Sequence, residues 1–232
     1  MDASFRFKQF SVSNVRSALK VGTDAVLLGA ALTLRPEDRC ALDLGTGTGV
    51  IALMAAQRGP QLHITGIDID EASALEAAEN FANSPWAERL TALHQDALNF
   101  RAEHRFDVIF SNPPYFESSL KNPDRREATA RHNDTLSLSS ICRLASELLG
   151  EHGRLSLILP ADTLLNLRRI AASRGLFPFR ILMIHTTEKK PAKRVIVEFS
   201  RQKTEVKEEK LVLLSSGEKT DEYIELTQEF YL

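Results

Sequence analysis

Cysteine is scarce in this chain. Its two copies, Cys40 and Cys142, stand far apart among 232 residues, with no CxxC pair and no Cys/His spacing around them. That excludes a disulfide framework and a thiolate metal centre, and both residues read as buried thiols in a reducing compartment. Long apolar runs are also missing. The longest stretch without a charge, Leu44 to Gln57, has 14 residues and is broken by glycines, short of the roughly 18 to 20 a membrane span needs. The opening "MDASFRFKQF" has no apolar core of the kind a secretory signal carries. Neither sign of charge dominates: 29 basic residues face 31 acidic ones, a net charge of −2. Indiscriminate binding to polyanions is therefore unsupported, and any nucleic acid must be held by a local patch. A cytoplasmic protein with no metal, no membrane attachment and a monomeric state is the expectation.

What is present is an alternation of short β runs and helical runs from Cys40 onward, the signature of a parallel sheet wrapped by helices. "CALDLG", "LHITGID", "LTALH", "RFDVIF" and "GRLSLILP" read as five successive strands. "TGVIALMAAQR" and "DEASALEAAENFANS" read as helices between them, the second capped by Asp70. In that second helix Ala74, Leu75, Ala78 and Phe81 share a face at helical spacing, with Glu71, Glu76 and Glu79 outside it. A further helix carries Leu138, Ile141, Cys142, Ala145, Leu148 and Leu149 on one stripe, which places Cys142 in the core. The connection from Asn112 to Asn133 exceeds the ~12 to 15 residues usual for structureless loops, so it reads as a lid or binding segment. "FRILMIH" and "RVIVEFS" flank a turn and predict an antiparallel hairpin at the sheet edge, and the C-terminal stretch predicts a strand and a short helix. The expected architecture is a single α/β domain over 1–232, with a mostly parallel seven-stranded sheet and helices on both faces. Residues 1–39 form an N-terminal extension and helix, 40–160 the binding and catalytic core, and 161–232 the rest of the sheet and the tail.

"DLGTGTGV" follows the first strand and opens a helix, a context in which glycines let a ligand approach the backbone at a positive helix end. A dinucleotide fold wants GxGxxG, whereas here the glycines fall at 45, 47 and 49 and Val50 follows. A tight turn with no ligand is the plainer alternative. The spacing resembles the glycine loop of S-adenosylmethionine-dependent methyltransferases, and that resemblance implies a fold of the Rossmann-like type. It also implies a cofactor lying against Gly45, Thr46, Gly47 and Gly49, with Asp43 near the methionine ammonium. A carboxylate at the end of strand two, about 20 residues on, usually accepts from ribose hydroxyls. Asp68 lies 19 residues after Gly49, and Ile69 beside it can flank an adenine ring. Asp96 matches the family acid that reads the adenine amine, with Ala97 next to it.

"SNPPYF" follows strand four. Proline lacks a backbone N–H and fixes φ, so Pro113 and Pro114 hold the chain extended and leave carbonyls without ladder partners. If the sheet order reverses beside strand one, the loops after strands one and four face each other across a crevice. Asn112-Pro113-Pro114-Tyr115 resembles the (D/N/S)PP(Y/F) motif of amino-methyltransferases. The resemblance implies that Asn112 and the Pro113 carbonyl accept from the two N–H groups of a conjugated amine, that Asn112 also touches the cofactor, and that Tyr115 stacks on the base. "FRFKQFSV", "KVGTDAVLLGA", "NSPWAERL", "TARH" and "LTQEFYL" extend the similarity over nearly the whole chain, to the bacterial tRNA adenine-N6 methyltransferases that modify the purine 3′ of the anticodon in a valine tRNA. Asp68 stands where Glu is more frequent in that family. The implied partner is tRNA, through its anticodon loop. Arg6, Lys8, Arg125, Arg126, Arg131, Lys189, Lys190, Lys193 and Arg194 are candidate RNA contacts, while Lys20 and Asp24 are expected at the cofactor mouth and Thr23 as a possible helix cap. Another amino-methyltransferase acting on DNA, rRNA or a protein glutamine, a nicotinamide dehydrogenase, and a non-catalytic RNA-binding module remain open alternatives.

Overall fold

Side chains of residues 40–44 alternate between two faces that are both buried, Ala41 on one and Leu42 and Leu44 on the other. A strand apolar on both faces belongs inside a helix-covered sheet. A computed structural model of the chain places it there; the structure describes residues 4–17, 20–114 and 136–232. In chain order the elements are β1 (Ser4–Arg6), β2 (Ser11–Ser13), α1 (Thr23–Ala31), β3 (Cys40–Leu44), α2 (Val50–Arg58), β4 (His63–Asp68) and α3 (Glu71–Ala82). There follow β5 (Leu90–His94), β6 (Phe106–Ser111), α4 (Leu138–Leu148), β7 (Leu149–Pro160), α5 (Leu164–Ala172), β8 (Phe177–Thr187), β9 (Ala192–Ser200), β10 (Lys207–Ser215), β11 (Glu218–Lys219) and α6 (Asp221–Thr227).

The main sheet runs β11-β10-β8-β9-β7-β6-β3-β4-β5. Pairs β3–β4, β4–β5, β3–β6, β6–β7 and β8–β10 are parallel, while β7–β9, β8–β9 and β10–β11 are antiparallel. The mostly parallel α/β architecture is as expected, but the sheet has nine strands rather than seven. The seven form its body, from β5 through to β8. The β8–β9 hairpin consequently lies inside the sheet, because β10 adds in parallel to β8, and the antiparallel edge hairpin is the shorter β10–β11 pair. One core packs α1 and α2 on one face together with Phe81, Tyr223 and Phe230. The other packs α4 and α5, with Cys142 at its centre; Cys40 is only half-buried.

Two features depart from the helical-wheel reading. Thr23 begins α1 and Gly22 holds the cap position. In α3 the cap is Asp70, which accepts from Ser73 N at 2.8 Å, but Leu75 is 53% exposed and Glu76 fully buried. Glu76 turns inward because the N-terminal segment offers it donors: Ser13 Oγ, Val15 N, Arg16 N and Ser17 N, at 2.7 to 3.1 Å. Burial alone would raise its pKa, but the backbone N–H groups of Arg16, Ser17 and Val15 outweigh that and hold it at about 2. One turn on, Asn80 accepts from Ser13 N and donates to Ser13 O and to Thr48 O. A helix side chain thus ties residues 13–17 to the loop before α2.

A second buried charge, Glu198 on β9, lies between its cross-strand neighbours Ser156 and Arg180. It accepts from Ser156 Oγ, Arg180 Nη1, Thr33 N and Thr33 Oγ1. These donors offset the desolvation that would otherwise expel an ionised group. They also anchor the end of α1 to the sheet.

Candidate active site

Strand register sets the site. Asp43 on β3 is level with Phe110 on β6, so two residues further on Gly45 and Asn112 leave neighbouring strands side by side. Ser111 Oγ donates to Leu44 O at 2.6 Å and closes the gap between the two exits. On the other flank Gly45 N and Thr46 N both donate to Ile67 O, at 2.9 and 3.0 Å. That pins the glycine loop to the end of β4, where Asp68 follows. Asp68 is level with His94 on β5, and Asp96 lies two residues past it. The order does reverse beside β3, so four adjacent strands present Asp43, Asp68, Asp96 and Asn112 at their carboxyl ends.

Asp43 is fully buried. Its Oδ2 accepts from Thr46 Oγ1 at 2.8 Å, and its Oδ1 has no hydrogen-bond partner. Burial pushes its pKa up to about 7, opposed by the Thr46 hydrogen bond and reinforced by the charge of Asp68. Thr46 reaches it only because β4 carries a glycine: a Cβ on Gly66 would sit 2.7 Å from Thr46 Oγ1. Asp68 accepts from Gly47 N at 2.8 Å and from Asp70 N at 2.9 Å. Burial raises its pKa, and those two N–H groups pull it back.

The three loop glycines do different work. Gly45 and Gly47 have φ of +71° and +56°, and a Cβ on either would meet nothing within 4 Å. They expose bare backbone toward open space. Gly49, at φ +79°, would drive a Cβ to 2.4 Å from the Phe81 ring, so it allows α2 to pack against α3. Asp96 accepts from Leu98 N at 2.8 Å and from Asn99 Nδ2 at 2.6 Å, capping the short turn that begins at Ala97. Ile69 is 50% exposed.

On the far side of Asn112 lies a cavity of about 570 Å³ lined by Asn112, Pro113 and Pro114. Leu27, Ile184 and Leu213 form its apolar wall. Lys20 and Asp24, expected at the cofactor mouth, line this cavity with Asn112. Lys20 Nζ donates to Asn14 O and Val15 O, at 2.7 and 3.0 Å, and Arg194 Nε donates to Asp24 Oδ2 at 2.7 Å. Lys8 Nζ is taken up by Gln228 O at 2.6 Å. Tyr115, the lid segment and Arg125, Arg126 and Arg131 lie outside the described residues. Sequence reasoning missed Ser111, Gly66 and the Thr46–Asp43 bond; a polar residue just before Asn112 and a glycine inside a strand pattern were the available signals.

A buried carboxylate with one orphaned oxygen seats a cation, since burial leaves that oxygen without water. Bare backbone at Gly45 and Gly47 admits close approach, and Asp68 retains lone pairs for hydroxyl donors. The residues therefore fit S-adenosylmethionine, which carries an ammonium and a ribose. Among the described residues no His/Cys/Asp/Glu group is placed to hold a metal ion, and no helix is long and apolar enough to cross a membrane.

Comparison with known proteins agrees with this geometry. The methyltransferase small domain family model matches residues 7–163. A tRNA1(Val) (adenine(37)-N6)-methyltransferase of Bacteroides fragilis is 44% identical over 232 residues, covering 98% of this chain and 97% of the relative. The protein of the same name from Vibrio campbellii is 42% identical, with coverages of 98% and 95%. Among solved structures, one from Agrobacterium tumefaciens described as a predicted O-methyltransferase aligns with a TM-score of 0.70 at 21% identity, over 89% of this chain and 96% of that one. A TehB-like SAM-dependent methyltransferase of Corynebacterium glutamicum gives a TM-score of 0.52 at 17% identity, over 80% and 91%. At those identities the structures speak to the fold, and the fold is that of methyltransferases. Near-complete coverage at over 40% identity goes further: the chain belongs to the methyltransferase small domain family and, within it, to the tRNA1(Val) (adenine(37)-N6)-methyltransferases.

Proposed function

We propose that this chain transfers a methyl group from S-adenosylmethionine to the exocyclic N6 of adenine 37 in the anticodon loop of a valine tRNA. The observation that carries the reading is the β3–β6 register, which sets the glycine loop and Asn112 at adjoining strand ends with Ser111 bridging them. When bound, the cofactor supplies an electrophilic methyl on a sulfonium. Asp43 receives its ammonium at the orphaned Oδ1, Gly45, Thr46, Gly47 and Gly49 shape the backbone around it, and Asn112 touches it at the crevice. Asp68 accepts from the ribose hydroxyls, while Ile69, Asp96 and Ala97 surround the adenine ring.

An adenine amine is a poor nucleophile, since its lone pair is delocalised into the ring. Asn112 Oδ1 and the Pro113 carbonyl accept from its two N–H groups, which favours pyramidal geometry and frees the lone pair. Pro114 keeps those acceptors rigid, and displacement by an ångström costs about a hundredfold in rate. Tyr115 stacks on the base, a contact worth roughly 1 to 3 kcal/mol. The alkylated nitrogen sheds its proton to water, so no strong base is needed among these residues. An exposed loop base is also cheaper to extrude than one stacked in a duplex.

We take the chain to act as one methyltransferase unit, as a monomer, in the cytoplasm where tRNA is modified. Mass spectrometry of nucleosides from valine tRNA of cells lacking the protein tests the function: N6-methyladenosine at position 37 should vanish and return on complementation. Purified enzyme offered tRNA, DNA and ribosomes should methylate the tRNA. Transfer only to DNA or ribosomes would refute the substrate and leave the chemistry standing.

A further inference from the structure

The lining of the cavity beyond Asn112 mixes two chemistries. Leu27, Ile184 and Leu213, with Pro113 and Pro114, supply apolar surface. Among the described residues the lining also carries three cations, Lys20, Lys193 and Arg194, and one carboxylate, Asp24. In a chain with net charge −2 this is a local excess of positive charge. It is also held in place. The Lys20 ammonium is anchored by the carbonyls of Asn14 and Val15, which are neutral and leave its charge uncompensated. Arg194 is oriented through its Nε by Asp24. Lys193 is exposed next to it on β9. Apolar surface next to cations matches a nucleotide in an RNA strand, which carries a flat base and anionic phosphates.

We propose that Lys20, Lys193 and Arg194 form a phosphate clamp for the RNA backbone flanking the target nucleotide, with Asp24 as the positioning residue for Arg194. The clamp rests on the tRNA reading above and narrows it. It takes Lys193 and Arg194 from the basic candidates and adds Lys20, and it sets apart Lys8, Lys189 and Lys190, which lie outside the cavity lining. The strand thus crosses the carboxyl-end side of β3 and β6 toward β8, β9 and β10, away from the glycine loop.

Phosphate contacts reveal themselves through salt. Binding of transcribed valine tRNA to the full-length enzyme should be titrated across potassium chloride concentrations for wild type, Lys20→Ala, Lys193→Ala and Lys189→Ala. Lys20→Ala and Lys193→Ala should each weaken binding roughly 3- to 10-fold at moderate salt and flatten the slope of log K against log salt by about 0.7 to 0.9. The KM for tRNA should rise while kcat at saturating tRNA and calorimetric cofactor affinity hold. Lys189→Ala should leave the slope as in wild type. Unchanged slopes in Lys20→Ala and Lys193→Ala, or an equal flattening in Lys189→Ala, would overturn the clamp while wild-type activity on tRNA keeps the reading beneath it. A wild-type enzyme that binds S-adenosylmethionine but neither binds nor methylates tRNA would overturn both.

Discussion

Replacing Asp43 with asparagine should make the empty protein more stable and the enzyme useless. The side chain is fully buried, and burial lifts its pKa from 3.8 to about 7. Because the folded value lies above the unfolded one, folding carries no penalty from this group below about pH 4. The penalty grows between about pH 4 and 7, where the unfolded chain has lost the proton that the folded protein keeps, and levels off above 7, where the folded protein holds an ionised carboxylate that water would solvate better. At about 1.4 kcal/mol per pH unit, the rise corresponds to an upper bound of roughly 4 kcal/mol above pH 7. Asparagine keeps the shape, and its carbonyl can still accept from Thr46 Oγ1, but it never ionises. Urea denaturation of wild type and Asp43→Asn at pH 5 and pH 8, without cofactor, should show a gap in favour of the variant that widens by up to about 3 kcal/mol at the higher pH. Calorimetric titration with S-adenosylmethionine should show wild-type affinity improving from pH 5.5 to 8 and the variant weak throughout. A stability gap independent of pH would refute the argument, since it would mean the carboxyl resides in no unfavourable environment.

Asn112→Ala should retain cofactor binding by calorimetry yet lose about a hundredfold or more in turnover, as expected when a positioned hydrogen-bonding group is removed from a developing charge; near-wild-type turnover would remove Asn112 from the chemistry. Gly49→Ala combines a left-handed φ with a Cβ 2.4 Å from the Phe81 ring, and denaturant midpoints should report a loss of about 2 to 4 kcal/mol. Glu76→Gln should cost about 1 to 3 kcal/mol at pH 7 by weakening hydrogen bonds to a charged acceptor. Since the folded pKa of Glu76 is about 2 against an ordinary 4.5, its stabilisation is present above 4.5 and fades as pH falls toward 2. Acid titration of Glu76→Gln should accordingly lack that part of the wild-type decline.

The central strands β3, β6 and β7 were legible because each is buried on both faces and stands out as an apolar run bounded by turn residues. The placement of the glycine loop, Asp68 and Asn112 was legible because each stands at or just past a strand end, and register then brings them together. Where reading failed, the deciding partner was distant in sequence. Nothing in α3 announces that Glu76 faces inward, because its donors lie about 60 residues earlier. Three-residue strands such as β1 and β2 carry too little pattern to register. The β8–β9 hairpin looked like an edge because parallel addition of β10 leaves no trace in either strand. Gly66 reads as a weak strand residue until Thr46 is seen occupying the space its missing side chain vacates.

Asn80 bonds both to Ser13 and to the Thr48 carbonyl, which makes one amide the joint between the start of the polypeptide and the turn ahead of α2. Chimeras between related enzymes must respect that joint. Residues 13–17 keep their hydrogen bonds in a chimera only where the recipient carries an acid at 76 and an amide at 80.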